Sequence, residues 1–222
     1  MGNCYRTPFV TPGFSFGDPH ITTLDGKDYT FNGWGEYTMV SISNTSSELF
    51  KLQARTDLAT TINGTKINAT VFSAFAGKDF KSNVSFQAVL SNTLDSVYVF
   101  VGEDDYSVDF NSTETFMIFK ENLVLSRKAN YTASFSFTDL GIEVNVQVGL
   151  RQLMLSINIP DTYRNQTRGL MGNFDGNKAN DFQLPDGSIM MDNETERNIY
   201  YNFGQKCKKY LCIYKLNMVL ND

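Results

Sequence analysis

Ile142-Glu143-Val144-Asn145-Val146-Gln147-Val148 decides the fold class. Branched apolar and polar residues alternate along it, the two-residue period of a strand with one buried face and not the 3.6-residue period of a helix. Leu153-Met154-Leu155-Ser156-Ile157-Asn158-Ile159 repeats the pattern. Working outward, β-rich runs bounded by polar or glycine-containing breaks occur at 49–54, 67–75, 84–90, 96–101, 106–110, 116–119, 123–126 and 133–137. Nearer the start, 29–31 and 36–42 flank Asn32-Gly33-Trp34-Gly35, which predicts a hairpin with Trp34 capping the core edge. Sustained helical periodicity is nearly absent before Pro160; beyond it come loops, with helical turns expected around 161–168 and 192–199. Many short strands at close spacing predict an all-β, antiparallel two-sheet sandwich with a short non-β C-terminal segment.

With 222 residues, 41% hydrophobic and 14% aromatic, the chain has ample material for one large β domain. Its formal charge of −5 argues against nucleic acid as a partner. No apolar run approaches the roughly 18 to 20 residues of a membrane span. Met1-Gly2-Asn3-Cys4-Tyr5-Arg6 has no apolar signal-peptide core. Yet eight N-x-S/T sequons, at Asn44, Asn63, Asn68, Asn83, Asn111, Asn130, Asn165 and Asn193, favour the secretory route. The expectation is therefore a piece of a longer secreted or cell-surface protein whose signal peptide lies upstream. Three cysteines, Cys4, Cys207 and Cys212, stand at the two ends. A Cys4 bridge to Cys207 or Cys212 would join the termini; alternatively the last two pair with a neighbouring domain. Their spacing does not suit zinc.

Two stretches carry chemistry. Gly17-Asp18-Pro19-His20 places the only histidine directly after an Asp-Pro bond. An aspartate carboxylate can reach its own carbonyl carbon through a five-membered ring, and the nitrogen expelled here is a tertiary amide of proline. An imidazole, with an ordinary pKa of roughly 6.5, could protonate that nitrogen as a general acid. The bland alternative is a turn, since Gly, Asp and Pro all favour one. The second stretch, Asn173-Phe174-Asp175-Gly176-Asn177-Lys178-Ala179-Asn180-Asp181, offers oxygen ligands only, as a hard cation such as calcium requires. Its Gly176 falls at the fourth position, and Leu184 stands where an EF-hand has its bidentate Glu, so an EF-hand is rejected. A solvated Asn/Gly turn is the alternative. Neither a catalytic triad nor a nucleotide fingerprint can be assembled.

The stretch from Gly17-Asp18-Pro19-His20 to Phe31 resembles the opening of the von Willebrand factor type D domain, in its mucin-like branch. Gly169-Leu170-Met171-Gly172-Asn173-Phe174-Asp175-Gly176-Asn177 through Phe182 resembles the family's second, glycine-rich signature. Three expectations come from this resemblance. It implies a D domain at 14–204, with a leader at 1–13 and a tail at 205–222. It implies a calcium site from Asp25, Asn173, Asp175, Asn180 and Asp181 with the carbonyl of Asn177. It also implies autocatalytic cleavage between Asp18 and Pro19, assisted by His20, in a mildly acidic compartment. Gln205-Lys206 departs from the Ser-Trp pair usual at the end of the domain, while Cys212-Ile213-Tyr214 resembles a motif of membrane-mucin relatives. The implied role is a mucin-like adhesion or matrix protein binding other extracellular proteins, with a covalent route to them through cysteine or the cleaved Asp18 end. Single-turnover cleavage in cis makes it an enzyme only loosely. The alternatives are a non-cleaving interaction domain and the D domain of a lipid-transport protein.

Overall fold

The alternating stretch forms the strand Ile142–Gly149, with Ile142, Val144 and Val146 buried. The computed structural model describes residues 10–17, 19–107, 115–128, 132–184, 186–190 and 195–208. In chain order the strands are β1 (Val10–Phe16), β2 (His20–Thr22), β3 (Asp28–Thr30), β4 (Gly35–Ser43), β5 (Glu48–Thr60), β6 (Lys66–Asp79), β7 (Ser85–Leu90), β8 (Val97–Val101), β9 (Asp104–Asp105), β10 (Met117–Lys120), β11 (Leu123–Lys128), β12 (Thr132–Phe137), β13 (Ile142–Gly149), β14 (Gln152–Pro160) and β15 (Thr167–Arg168). They make two antiparallel sheets, one ordered β10-β11-β12-β13-β14-β1-β2-β3 and the other β15-β4-β5-β6-β7-β8-β9. Aromatic side chains join the sheets. Phe86 of β7 stacks on Phe135 of β12 with centroids 3.8 Å apart, and Phe50 of β5 meets Phe137 of β12 edge-on at 5.2 Å. The all-β sandwich expected from period-two patterning is the architecture observed.

Three local expectations differ from the structure, and elements of secondary structure run across the boundaries drawn from the sequence. The boundary drawn after residue 13 falls inside β1, which pairs with β14 from Val10↔Pro160 to Ser15↔Leu155. Pro12 is tolerated because β2 pairs only with residues 14–16, leaving one side of the strand open there for a residue without an N–H. Gly13 lets Leu24 and Met171 close in, since a Cβ there would lie 3.3 Å and 3.2 Å from their side chains.

The predicted hairpin across 32–35 is instead a crossover between sheets: β3 pairs with β2, whereas β4 pairs with β5. Asn32 fixes the crossing by accepting from the Thr70 backbone N–H at 2.8 Å and hydroxyl at 2.9 Å. Trp34 does not cap the core; it is 61% exposed. The run at 106–110 is not a strand over its described part. Ladder pairing stops at Asp105, whose carboxylate accepts the Ser107 N–H at 2.8 Å and turns the chain away. Residues 108–110 lie outside the described residues.

After β14 come a 3-10 turn at Asp161–Tyr163, the two-residue β15 and a 3-10 turn at Lys178–Asn180. A helical segment then runs from Glu196–Asn198 through a π-helical Ile199–Gly204 to Gln205–Cys207. The boundary drawn at 204/205 therefore lies within this helix. Phe203 packs on Phe182 and Tyr29, at 5.0 and 6.4 Å between centroids. Gly204 is needed for that approach, because a Cβ would sit 1.9 Å from Phe31. Among the described residues no helix is long and apolar enough to cross a membrane.

Candidate functional site

The turn after β2 is built by Thr23. Its N–H donates to the Lys27 carbonyl at 2.9 Å, and its hydroxyl oxygen accepts the Lys27 N–H at 2.8 Å. Gly26, at φ +83°, completes the reversal and leaves Asp25 at its tip. From there the Asp25 carboxylate accepts the backbone N–H groups of Asp175 at 2.8 Å and Gly176 at 2.9 Å. One side chain thus clamps two segments 150 residues apart.

The loop 169–181 is anchored from beneath. Leu170 and Met171 donate to the carbonyls of Thr38 and Met39 at 3.0 and 2.9 Å, and both side chains are buried. Gly172 has φ +85°, and a Cβ there would fall 2.1 Å from Oδ1 of Asp181, so the missing side chain makes the seat of that carboxylate. Asp181 accepts from the Thr23 hydroxyl at 2.6 Å and the Asn173 N–H at 3.3 Å. Asp175 accepts from the side-chain amides of Asn180 at 2.7 Å and Asn173 at 3.3 Å, and from the Asn177 N–H at 2.8 Å. Asn177 caps the 3-10 turn, its side chain accepting from Ala179 and its carbonyl from Asn180 at 3.2 Å.

Asp25, Asn173, Asp175, Asn177, Asn180 and Asp181 are therefore brought together in one network. Burial pushes the Asp181 carboxyl up to about 6; the Thr23 hydroxyl opposes this, and the charges of Asp25 and Asp175 add to the rise. Among the described residues, no three carboxylate, imidazole or thiol groups are grouped as a metal cage, so any cation here needs amide oxygens as well. Two are present: Oδ1 of Asn173 and Oδ1 of Asn180 are buried and carry no hydrogen bond. A buried carbonyl oxygen without a partner is costly. Oxygen donors, mutually repelling carboxylates and two orphaned amide oxygens fit a hard cation. Thr23 and Gly172 were not singled out from the sequence, although each sits inside a motif that was.

Phe16 of β1 pairs with His20 of β2, and Gly17 follows β1 at φ +70°. Pro19 is buried, and its carbonyl accepts the Phe31 N–H at 2.8 Å. The His20 ring has Nδ1 3.0 Å from the Thr30 hydroxyl. Asp18 lies outside the described residues, as do Cys4, Cys212, Asn111, Asn130 and Asn193. Cys207 forms no disulfide among the described residues; it packs partly buried against the core, and burial pushes its thiol up to about 12. The sequon asparagines Asn44, Asn63, Asn68, Asn83 and Asn165 are all exposed.

The chain is 33% identical over 201 residues to Mucin-4 of Mus musculus, covering 89% of this chain and 6% of that protein. It is 30% identical over 187 residues to Sushi domain-containing protein 2 of Homo sapiens (84% and 21%), and 26% identical over 177 residues to Zonadhesin of Sus scrofa (78% and 6%). The chain thus spans a small part of each of these relatives. The profile of the von Willebrand factor type D domain matches residues 14–188, most of the chain, and the chain belongs to that family.

Proposed function

We propose that this chain is the calcium-stabilised D domain of a longer, secreted or cell-surface mucin-like protein acting in adhesion or matrix assembly, and that it cleaves its own Asp18–Pro19 bond. The observation that carries the calcium reading is the Asp25 clamp on a loop with two unpartnered buried amide oxygens. Asp25, Asp175, Asp181, Asn173 and Asn180 would hold the ion with the Asn177 carbonyl. The bound cation supplies charge neutralisation and a fixed tie between the hairpin and the loop. The extracellular placement is supported by relatives named mucin and zonadhesin and by five exposed sequon asparagines. Its partners on this reading are other extracellular proteins, not nucleic acid.

In the cleavage step a carboxylate oxygen of Asp18 bonds to that residue's own carbonyl carbon. The carbon–nitrogen bond to Pro19 breaks, and the nitrogen keeps the electron pair and takes a proton from the His20 imidazolium. The product is a five-membered anhydride on residue 18. Water opens it to an ordinary C-terminal aspartate; an amine or hydroxyl of another molecule opens it to an amide or ester, a covalent link. Thr30, beside His20 Nδ1, orients the ring.

The test is the intact mass of deglycosylated, secreted protein held at about pH 5.5 and about pH 7.5, bracketing the ordinary histidine pKa. Fragments 1–18 and 19–222, formed faster at the lower pH and lost in Asp18→Asn and His20→Ala, are expected. Cleavage persisting in both variants would sink the mechanism. An uncut chain whose melting still responds to calcium leaves the non-cleaving interaction domain.

A further inference from the structure

A groove of about 490 Å³, none of whose lining residues belongs to the loop or the motif described above, runs beside β5 and β6. Trp34, Arg55, Asp57, Lys66, Ser73 and Arg151 line it. Its volume lies within the roughly 300–1,000 Å³ typical of small-ligand sites.

Trp34 is the chain's only tryptophan, and it is 61% exposed on a backbone that is held firmly. Its carbonyl accepts from the Tyr37 hydroxyl at 3.0 Å, and the preceding Gly33 carbonyl accepts from the Thr56 hydroxyl at 2.6 Å. Gly33 is itself confined, since a Cβ would lie 2.5 Å from the Phe31 ring. The indole is thus a flat apolar plate presented to solvent beside polar groups, an arrangement suited to a ligand with one apolar face and a polar perimeter.

The perimeter supplies both signs. Asp57 accepts from the Ser73 hydroxyl at 2.5 Å, leaving carboxylate lone pairs for ligand hydroxyls. Arg55 is already held by Glu36 at 3.0 and 2.6 Å. Lys66 and Arg151 pair with no carboxylate among the described residues, and Nε of Arg151 is buried without a partner. With Arg55 paired to Glu36, Lys66 and Arg151 outnumber the single carboxylate of Asp57, a positive balance that runs against the chain's net charge of −5.

Arg151 reaches the groove from the other sheet, on the β13–β14 turn, where Leu150 and Arg151 have φ +51° and +65°. Consecutive left-handed residues make a type I′ turn, which favours Asn and Gly over branched or long side chains. This turn therefore holds an arginine in a conformation that arginine disfavours.

We propose that this groove binds acidic saccharides. The apolar face of a sugar ring stacks on Trp34, ring hydroxyls donate to Asp57, and a carboxylate or sulfate on the sugar faces Arg151 and Lys66. A guanidinium takes such a planar or tetrahedral anion through two parallel N–H donors.

Because Trp34 is unique, its fluorescence reports on this groove alone. Full-length protein with its N-glycans enzymatically trimmed is titrated with sialyllactose, a sulfated chondroitin disaccharide, neutral lactose and an acidic hexapeptide. A saturable change is expected with one or both acidic sugars, at least about tenfold tighter than with lactose or peptide and weakened as salt rises to about 0.5 M. Arg151→Gln is expected to weaken acidic-sugar binding about tenfold and Lys66→Gln several-fold, with lactose unchanged. Lys66 is exposed at the start of β6, so this second variant keeps the test valid if altering the turn disturbs folding. Trp34→Phe, followed by calorimetry, is expected to weaken every sugar. Absence of acidic-sugar binding, equal binding of lactose, equal binding of the acidic peptide, or unchanged affinity in both Arg151→Gln and Lys66→Gln overturns the proposal.

Discussion

Replacing Asp25 by alanine removes one side chain and two long-range hydrogen bonds, those from Asp175 N at 2.8 Å and Gly176 N at 2.9 Å. Hydrogen bonds to a charged acceptor contribute about 1.5–3 kcal/mol each. Gly176 is exposed, so the lower figure applies to its bond, and the pair together contributes about 3 kcal/mol. For a domain of this size each kcal/mol moves the melting temperature by about 2–4 °C, so Asp25→Ala is expected to melt about 6–12 °C lower in chelator. Calcium at about 100 times its Kd adds about 2.7 kcal/mol to a protein that binds it. Wild type should gain that increment and Asp25→Ala little of it, so the gap between them widens in calcium. Asp25→Asn keeps one acceptor oxygen and should fall between the two in chelator. Melting followed by circular dichroism, with calcium and with chelator, measures all six values. A loss below about 2 °C in chelator would refute the clamp, and an equal calcium increment in wild type and Asp25→Ala would refute the ligand role.

Other outcomes follow from single positions. Gly172→Ala places a Cβ 2.1 Å from Asp181 Oδ1 at φ +85°, and should lose about 2 kcal/mol or more together with the calcium increment; wild-type melting in both buffers would contradict the seat assigned to Asp181. Leu150→Asn puts a residue tolerant of left-handed backbone at an exposed φ of +51°, and denaturant titration should show a gain of about 0.5–1 kcal/mol. If the chain is cut after Asp18, fragment 1–18 should remain bound in reductant through the β1–β14 ladder, Val10 to Ser15 against Pro160 to Leu155, and leave only in denaturant. Its separation on native gel filtration in reductant would contradict this.

Burial pushes the Tyr37 phenol up to about 12, with Tyr200 adding to the rise, and burial likewise raises Tyr29. The native state keeps these protons where an unfolded chain releases them, above about pH 10. Their contribution to stability is therefore full below that value and is lost as pH rises toward 12. Absorbance near 295 nm and circular dichroism, recorded together, should show the last of the 11 tyrosines ionising only as structure is lost. Ionisation of all of them around pH 10 with the sheet signal intact would contradict it.

Period-two alternation is a property of neighbouring residues, so the sequence by itself determined that 142–148 and 153–159 are strands and that the domain is all-β. It also marked the oxygen-rich loop at 173–181, because a run of Asn, Asp and Gly is local chemistry. Partnership between distant segments is not written locally. Val10–Phe16 carries Pro12 and Gly13, two strand breakers, and is a strand only because β14 pairs along one side of it while β2, on the other side, reaches no further than residues 14–16. The turn residues Asn32-Gly33-Trp34-Gly35 suit a hairpin equally well; Thr70, holding Asn32 from β6, makes them a crossover and leaves Trp34 in solvent. Asp25 lies about 150 positions from the loop it clamps, and the groove joins residue 34 to 151. Those juxtapositions come from sheet order and side-chain packing, energies that exist only once both sheets are in place.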